Sequence, residues 1–363
     1  MAPLNFLHFL TVVSLAVLQA SFDAIPVNAL AVEHSHLGRG LSHAHVDIAK
    51  KRDPSSKKCR PRPTSIAPKA AAAAATPPSS APSSQPSQPA QTTTSSQSSS
   101  TYTPSSSGGG KSLLAWSNNE QGSLKNFAKN KPMIYNWKVL KYPKGDLGPS
   151  WDIFETMDFI PTVHDRGELA NIGVLKAGYA NKVFNVNEPE INGVGYEDWY
   201  YNVHVPYIAP LVHEGYQLFT PSVTTSDAGF NWLQNFMNLC NQGDCGISAM
   251  NIHHYSIDAQ QLMDATTKFY NAFKMQIWLG EIGCQDYSGG NQGCNQATFN
   301  TFFSAVMNFV KSDSRIEKIA WFGFFTASEI EHENVSPTNV MMDCSGGPSN
   351  CVPNDLGKTF LSY

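Results

Sequence analysis

Short runs of apolar or β-branched residues recur through the last two thirds of the chain, with polar stretches between them. Runs of this kind, bounded by turn-forming residues, are typical of buried strands. Eight strands are predicted on this pattern. They are Leu113–Trp116, Met133–Trp137, Phe159–Val163, Val183–Val186, Gln217–Phe219, Ile247–Ile252, Gln276–Leu279 and Lys318–Phe325.

Helical patterns lie between the later strands, whereas those after the first three strands are weak. The predicted helices are Glu197–Glu214, Phe230–Leu239, Asp258–Phe273 and Thr298–Val310. In the last helix, Phe299, Phe302 and Phe303 have the i, i+3, i+4 spacing of a buried helix face.

The alternation of strands and helices indicates an α/β fold made of parallel βαβ units. Residues 111–363 number 253, and a (β/α)8 TIM barrel typically needs about 250 residues. We therefore predict a (β/α)8 barrel over 111–363. A doubly wound sheet is the competing architecture, but it would use a glycine-rich first turn, and the chain has no GxGxxG motif.

The first residues of the chain predict a secretion signal. Phe9–Leu18 is an almost unbroken apolar run that suits a signal-peptide core and is too short to span a bilayer. We predict a signal peptide over 1–20, although cleavage after Ala24 or Ala29 would also fit.

Two further segments are predicted before the barrel. Residues 21–52 suit a propeptide, because Lys51 and Arg52 form a dibasic site for a processing protease. Residues 53–110 are rich in Ser, Thr, Pro and Ala and almost lack large apolar side chains. Such a segment cannot offset its ordering entropy, so a disordered linker is predicted there, with O-glycosylation suggested by its composition.

Charge separates the two parts of the chain. The net charge of −4 combines a basic first 110 residues with a barrel region that carries 16 basic and 25 acidic residues, a net of −9. A domain of this charge is a poor partner for nucleic acid, which demands Lys and Arg, and it is repelled by acidic membranes. A neutral ligand such as a sugar polymer fits better.

Two glutamates stand at predicted strand ends, where the chemistry of a barrel is located. Glu188 follows strand four in the sequence NVNEP, and Glu281 lies in WLGEIG at strand seven. Their separation of 93 residues equals three repeats of 31, close to the length of one βα unit. Paired carboxylates at an otherwise apolar barrel mouth are the groups that glycoside hydrolysis requires.

With these two motifs in place, the barrel region resembles glycoside hydrolase family 128. This family belongs to the clan of retaining glycosidases that carries its catalytic glutamates on strands four and seven. The resemblance covers 111–363 and none of the first 110 residues. Further matching segments are Tyr135-Asn136-Trp137, Phe159-Ile160-Pro161, His253-His254-Tyr255 and Ala320-Trp321-Phe322-Gly323.

The resemblance implies a secreted retaining hydrolase of β-1,3-glucan, without a cofactor, acting as a monomer and associated with a fungal cell wall. Two alternatives stay open. The same barrel could bind a β-glucan or its oligosaccharides with little turnover, or it could act on β-1,4-glucan or mannan. Neither endo nor exo action follows from the sequence.

The resemblance also assigns roles to individual residues. Glu188 would be the general acid/base, with a pKa above the ~4.3 of a free glutamate. Glu281 would be the nucleophile. Asn187 would bind the sugar 2-hydroxyl, and Tyr255 would orient Glu281 through its hydroxyl group.

Histidines near the predicted cleft have simpler interpretations. Strand alternation places His253 on the same face as Tyr255 and turns His254 away, so these two histidines are not expected to bind one metal ion. No metal site is predicted, because no HExxH motif occurs. His253 is expected to contact substrate, and His164, at the end of strand three, is expected to line the cleft.

Aromatic side chains should provide a platform for the apolar face of a sugar ring. Trp137 and Trp321 lie at strand ends and are the main candidates, with Trp116 a weaker one. Trp278 and Glu281 are three positions apart in one strand, so their side chains should lie on opposite faces. Trp278 is therefore predicted to face the layer between barrel and helices.

Seven cysteines in a chain predicted to be secreted imply disulfides. The six in the barrel region allow 15 pairings. Pairing of sequence neighbours predicts Cys240–Cys245, Cys284–Cys294 and Cys344–Cys351. Cys59 is left over in the linker, where it would be free, pair between chains or leave with a propeptide.

Overall fold

The computed structural model describes residues 110–116, 121–130, 132–243, 245–288 and 290–363. The predicted signal peptide, the predicted propeptide, Cys59 and all but the last residue of the predicted linker lie outside the described residues.

Twelve β-strands are present in the described part of the chain. They are β1 (Ser112–Ala115), β2 (Met133–Tyr135), β3 (Lys182–Val183), β4 (Gln217–Phe219), β5 (Val223–Thr224), β6 (Ile247–Tyr255), β7 (Ile277–Gly283), β8 (Gln285–Asp286), β9 (Gln292–Gly293), β10 (Ile316–Trp321), β11 (Met342–Asp343) and β12 (Val352–Pro353). The eight strands β1–β7 and β10 form one parallel sheet, and β8–β9 and β11–β12 are small antiparallel pairs.

The parallel sheet closes on itself. Its strand order is β2, β1, β10, β7, β6, β4, β3, and β5 also pairs with β6. The gap between β2 and β3 is filled by the segment 159–162, because Ile134 bridges to Phe159 and Thr162 bridges to Phe184. This segment is barrel strand three, and β4 and β5 together form barrel strand five. The barrel thus has eight strands, so the predicted (β/α)8 barrel is confirmed.

Eight α-helices surround the sheet among the described residues. They are α1 (Lys144–Leu147), α2 (Trp151–Phe154), α3 (Tyr196–Trp199), α4 (Asp227–Cys240), α5 (Ala259–Phe273), α6 (Gln296–Ser312), α7 (Ala327–His332) and α8 (Asp355–Phe360). The long helices α4, α5 and α6 begin at side-chain caps supplied by Ser226, Asp258 and Asn295.

Helical structure is weakest where its sequence pattern is weakest. Among the described residues after barrel strands one to three, the helical segments are 3₁₀ turns (Gln121–Asn126, Gly148–Ser150, Arg166–Val174) and the four-residue helices α1 and α2. The predicted helix 197–214 is continuous but mixed, because α3 runs into a π-helix over Tyr200–Ile208 and a 3₁₀ turn over Ala209–Glu214. Pro206 lies inside this stretch and lacks the amide hydrogen that a regular helix uses.

Strand alternation divides the core into two layers. The inner layer fills the barrel, and the outer layer lies between the sheet and the helices. Phe299 and Phe303 of α6 belong to the outer layer and pack on Trp321 of β10, with ring centroids 5.6 and 5.1 Å apart. The inner layer includes Leu113, Ala115, Tyr135, Trp137, Ile160, Phe184, Phe219, Ala249, Trp278, Ala320 and Phe322.

The prediction for Trp278 is wrong, because a β-bulge changes the parity of β7. Trp278 packs inside the barrel, 4.8 Å from the ring of Phe219. In the pairing of β6 with β7, Ile252 lies opposite Leu279 but His253 lies opposite Glu281, so Gly280 is an extra residue. A Cβ atom at Gly280 would lie 1.9 Å from the Asn251 side chain, which explains why glycine occupies the bulge.

The three predicted disulfides are present: Cys240–Cys245, Cys284–Cys294 and Cys344–Cys351. The second of these closes the loop that follows β7 and contains β8 and β9. Within the described part of the chain, every helix is too short or too polar to cross a bilayer.

The chain enters the barrel at the end where the strands begin. Lys318, near the start of β10, donates from Nζ to the carbonyl oxygen of Gly110 at 2.7 Å. The backbone amide of Lys111 donates to the carbonyl oxygen of Tyr363, so these two segments meet at the same end of the barrel.

Candidate active site

Glu188 and Glu281 meet at the carboxyl end of the barrel. Glu281 lies within β7, and Glu188 follows β3, where Asn187 bridges to Ser222 and the Glu188 amide donates to the Ser222 carbonyl at 2.8 Å. One carboxylate oxygen of Glu188 lies within 4.8 Å of one of Glu281. Both side chains are fully buried, at 0% exposure.

Glu281 accepts hydrogen bonds on both of its oxygens. The Tyr255 hydroxyl donates to Oε1 at 2.7 Å, and the Trp137 indole Nε1 donates to Oε2 at 3.1 Å. His253 Nδ1 lies 3.8 Å from Oε2. Donors directed at a buried carboxylate stabilise its ionised form.

His253 connects the two carboxylates. Its Nδ1 lies 3.0 Å from Glu188 Oε1, and the imidazole is 2% exposed. Burial alone would lower the pKa of His253, but the charge of Glu281 and the hydrogen bond to Glu188 outweigh it and raise that pKa. The pair formed by His253 and Glu188 therefore retains a proton more readily than an isolated histidine would.

Two site residues have a positive φ angle, in the left-handed region of backbone conformation. Glu188 has φ +42° and Trp137 has φ +57°, which is uncommon outside glycine and costs of order 1–3 kcal/mol at each residue. In both cases the turn comes directly after a barrel strand and directs the side chain inwards. Such strain is retained where a specific side-chain direction is needed.

A cavity of about 500 Å³ lies beside Asn187, the residue that precedes Glu188, and neither glutamate lines it. Its lining includes Asn187, the partly exposed His164, and the ion pair between Arg166 and Asp198. The hydrogen bond with His164 lowers the pKa of Asp165, which also lines the cavity, to about 2. Asn187 and His164 thus both line this cavity.

Asn187 presents an unused donor. Its backbone carbonyl accepts a bond from Asn192 at 3.1 Å, whereas its buried side-chain Nδ2 has no hydrogen-bond partner among the described residues. A buried amide without a partner is costly, so this atom is suited to a polar ligand group.

The structure contradicts the prediction that Trp137 and Trp321 form the platform for a sugar ring. Trp321 lies in the outer layer, packed against α6, and its Nε1 donates to Asn339 at 3.2 Å. It faces away from the carboxylates because its neighbours Ala320 and Phe322 take the inward positions of that strand. Trp137 does reach the site, but it is 1% exposed and contacts Glu281 through its indole nitrogen. The weaker candidate, Trp116, is fully buried in the outer layer.

Two residues near the carboxylates were not predicted. Glu190 accepts a bond from the Thr224 amide at 2.7 Å, and burial together with the charge of Glu188 raises its pKa to about 7. Tyr287, in the disulfide-closed loop, lies 5.5 Å from the ring of Tyr255. The signals were present, since Glu190 lies two residues after Glu188 and Tyr287 six after Glu281.

Within the described residues, two trios of side chains bring possible metal ligands within 4.8 Å of one another. In the first, His204 lies beside Cys240 and Cys245, but these cysteines form a disulfide. The second consists of His253 and the two glutamates. A metal ion there would have to displace the donors already bound to Glu281, so we interpret this trio as a hydrogen-bonded carboxylate pair.

A closed eight-stranded parallel barrel with two carboxylates at the ends of strands four and seven is the arrangement of a glycoside hydrolase. A family model described as glycosyl hydrolase catalytic core matches residues 113–354, and the chain belongs to that family.

Known proteins agree with this membership. Alkali-sensitive linkage protein 1 of Schizosaccharomyces pombe is 27% identical over 254 residues, which are 69% of this chain and 44% of that protein. The chain thus spans less than half the length of this relative.

Solved structures of glycoside hydrolase family 128 share the fold. A subgroup V exo-β-1,3-glucanase from Cryptococcus neoformans is 21% identical, with a TM-score of 0.57, covering 69% of this chain and 98% of that one. A subgroup VII oligosaccharide-binding protein from the same organism is 19% identical, with a TM-score of 0.52, covering 70% and 93%. The predicted barrel is therefore shared with these structures, and the family model identifies the glycosyl hydrolase catalytic core.

Proposed function

We propose that this chain hydrolyses β-1,3-glucan with retention of configuration. The observation that carries the proposal is the approach of the two carboxylates, whose nearest oxygens lie within 4.8 Å. Retaining enzymes hold these groups about 5–5.5 Å apart, whereas inverting enzymes separate them by about 6.5–9.5 Å to admit a water molecule. The substrate class rests on the family and on the activity of its solved members.

Glu281 is the nucleophile in this proposal. The donors Tyr255 and Trp137 keep its carboxylate ionised and fix its direction. One oxygen attacks the anomeric carbon and forms a glycosyl–enzyme ester as the glycosidic bond breaks.

Glu188 is the general acid and then the general base. It gives its proton to the leaving glycosidic oxygen, and it later takes a proton from the water that hydrolyses the ester. His253 Nδ1, at 3.0 Å from Oε1, orients the Glu188 carboxyl group for both steps.

Asn187 binds the sugar ring in this proposal. Its side-chain amide has no partner in the described structure, so it can donate to the sugar 2-hydroxyl, a contact that strengthens in the transition state. The net charge of −9 over 111–363 suits a neutral polysaccharide. Three disulfides suit the oxidising exterior of the cell, and we propose secretion to the cell wall on this basis.

One observation favours a second candidate, a glucan-binding protein with little turnover. Both glutamates are inaccessible in this structure, at 0% exposure, and an oligosaccharide-binding protein shares the fold. In that case the barrel would bind glucan oligosaccharides without opening far enough for catalysis.

Product analysis tests the proposal. Purified protein is incubated with laminarin, cellulose and mannan, with Glu281→Gln as the matched control for contaminating activity. Release of laminari-oligosaccharides or glucose from laminarin alone, absent in Glu281→Gln, is the expected result. Binding of laminari-oligosaccharide without any product would support the second candidate, and products from cellulose or mannan would refute the substrate assignment.

A further inference from the structure

The loop after β7 is held by a disulfide, a short hairpin and hydrogen bonds. Cys284 and Cys294 close it by a disulfide, and β8 and β9 form a short hairpin inside it. The side chain of Asn339 bonds to both backbone groups of Cys284, accepting from its amide at 2.7 Å and donating to its carbonyl at 3.1 Å. The start of the loop is thereby anchored to the segment that follows barrel strand eight.

Tyr287 is the aromatic residue that this loop carries to the barrel mouth. Its ring lies 5.5 Å from that of Tyr255, whose hydroxyl contacts Glu281 at 2.7 Å. Partial burial raises the pKa of Tyr287 above its usual value, and the charges of Glu188 and Glu281 raise it further.

Tyr287 and Tyr255 are partly exposed, whereas the other aromatic rings at the mouth are buried. Trp137, Phe322 and Phe325 are at most 2% exposed, but Tyr287 is partly exposed. A sugar ring needs an accessible aromatic face on which to stack. The Tyr255 hydroxyl already donates to Glu281, so Tyr287 is the better candidate for the stacking role predicted for Trp137 and Trp321.

Hydrogen bonds fix the direction of the Tyr287 ring. Its hydroxyl donates to the Asn334 carbonyl at 3.3 Å. On its chain neighbour Asp286, Oδ1 accepts from the Ser288 amide at 2.8 Å and so shapes the turn. The ring thus has a set orientation before any ligand arrives, which reduces the entropy lost on binding.

We propose that Tyr287 is the aromatic side chain that stacks on a glucan ring at the mouth of this barrel, and that the Cys284–Cys294 disulfide positions it. The inference rests on the proposed function, because it assigns a substrate contact to the same site. It makes Tyr287 a determinant of affinity for the polysaccharide rather than of the chemical step.

Substitution of the ring gives the first test. Tyr287→Ala should raise KM for laminari-oligosaccharides about tenfold, the loss expected for one aromatic contact of roughly 1.4 kcal/mol, with kcat changed little. Tyr287→Phe should retain most of the affinity because the face of the ring is preserved. Tyr201→Ala, which removes an exposed tyrosine of the π-helix, is the matched control and should behave like the parent protein.

Removal of the disulfide gives the second test. The pair Cys284→Ala and Cys294→Ala should raise KM in the same direction as Tyr287→Ala, and should add little when combined with it. The matched control removes Cys344 and Cys351, whose disulfide lies near the C-terminal hairpin, and should leave KM unchanged.

The two proposals fail in different ways. If the parent protein neither cleaves nor binds glucan, the proposed function is wrong. If the parent protein binds laminari-oligosaccharide by calorimetry and Tyr287→Ala binds it equally well, the function stands and the role of Tyr287 is refuted. Equal KM values for Tyr287→Ala and the parent protein would refute it in the same way.

Discussion

The bond from Tyr255 to Glu281 allows a quantitative test of the nucleophile. Tyr255→Phe removes one hydroxyl group and leaves the ring in place. The hydroxyl donates to Oε1 at 2.7 Å, and the second donor, Trp137, remains on Oε2 at 3.1 Å. The variant therefore weakens the stabilisation of the ionised carboxylate without abolishing it.

The magnitude follows from the charge on the acceptor. A hydrogen bond to a charged group is worth roughly 1.5–3 kcal/mol, and 1.36 kcal/mol corresponds to one pKa unit. The bond stabilises the ionised form, so its loss favours protonation of the nucleophile. The acidic limb of the kcat/KM profile should move to higher pH by about 1–2 units.

The assay is the pH dependence of kcat/KM on a laminari-oligosaccharide, for the parent protein and Tyr255→Phe. Tyr142→Phe is the matched control, because this buried tyrosine donates to the neutral carbonyl of Trp116 at 2.9 Å, away from the carboxylates. An acidic limb that stays in place in Tyr255→Phe, or that moves equally in Tyr142→Phe, would refute the assigned role of Tyr255.

Three further predictions concern the carboxylates and the buried titratable groups. With azide and an activated glycoside, Glu281→Ala should form the inverted glycosyl azide and Glu188→Ala the retained one; product stereochemistry by NMR checks this, and the reverse pattern would exchange the two roles. Burial lowers the pKa of His204 and of His254 to about 4. As pH falls below 6.5, each histidine therefore binds a proton in the unfolded chain at a higher pH than in the folded protein. The free energy of unfolding should therefore fall between pH 6.5 and pH 4, by up to about 3 kcal/mol for each histidine in urea titrations, and a flat profile would contradict the burial argument. Glu190, with a pKa of about 7, holds its proton in the folded state while the unfolded chain ionises above pH 4.5. Glu190→Gln should thus gain stability relative to the parent as pH rises from 4.5 to 8, by up to about 3 kcal/mol, and a gain that is the same at every pH would show another cause.

The barrel could be predicted from the sequence because its strands are apolar on both faces. A buried parallel strand is a short continuous apolar run, and the run Leu113–Trp116 is a clear example. The pattern also predicts barrel strand three, at Phe159–Val163, although this segment forms isolated bridges in the structure. The glutamates were found because each follows such a run directly.

Side-chain direction was harder to predict. Parity along a strand assumes a regular pleat, and the extra Gly280 breaks it, so Trp278 and Glu281 both face inwards. The position of Trp321 at a strand end predicts a place at the mouth, but position along a strand does not determine which face a side chain takes. Tyr287 lies in a loop whose path depends on the bonds from Asn339 and Asn334, and no local pattern encodes these contacts.

The place where the chain enters the barrel determines how the enzyme would be presented to a polymer. Gly110 is held by Lys318 at the end where the strands begin, whereas the carboxylates lie where the strands finish. Any tether that reaches the domain through residue 110 therefore attaches behind the catalytic mouth. The attachment point and the mouth thus lie at opposite ends of the barrel, so a tether at residue 110 leaves the approach of a long polymer to the mouth open.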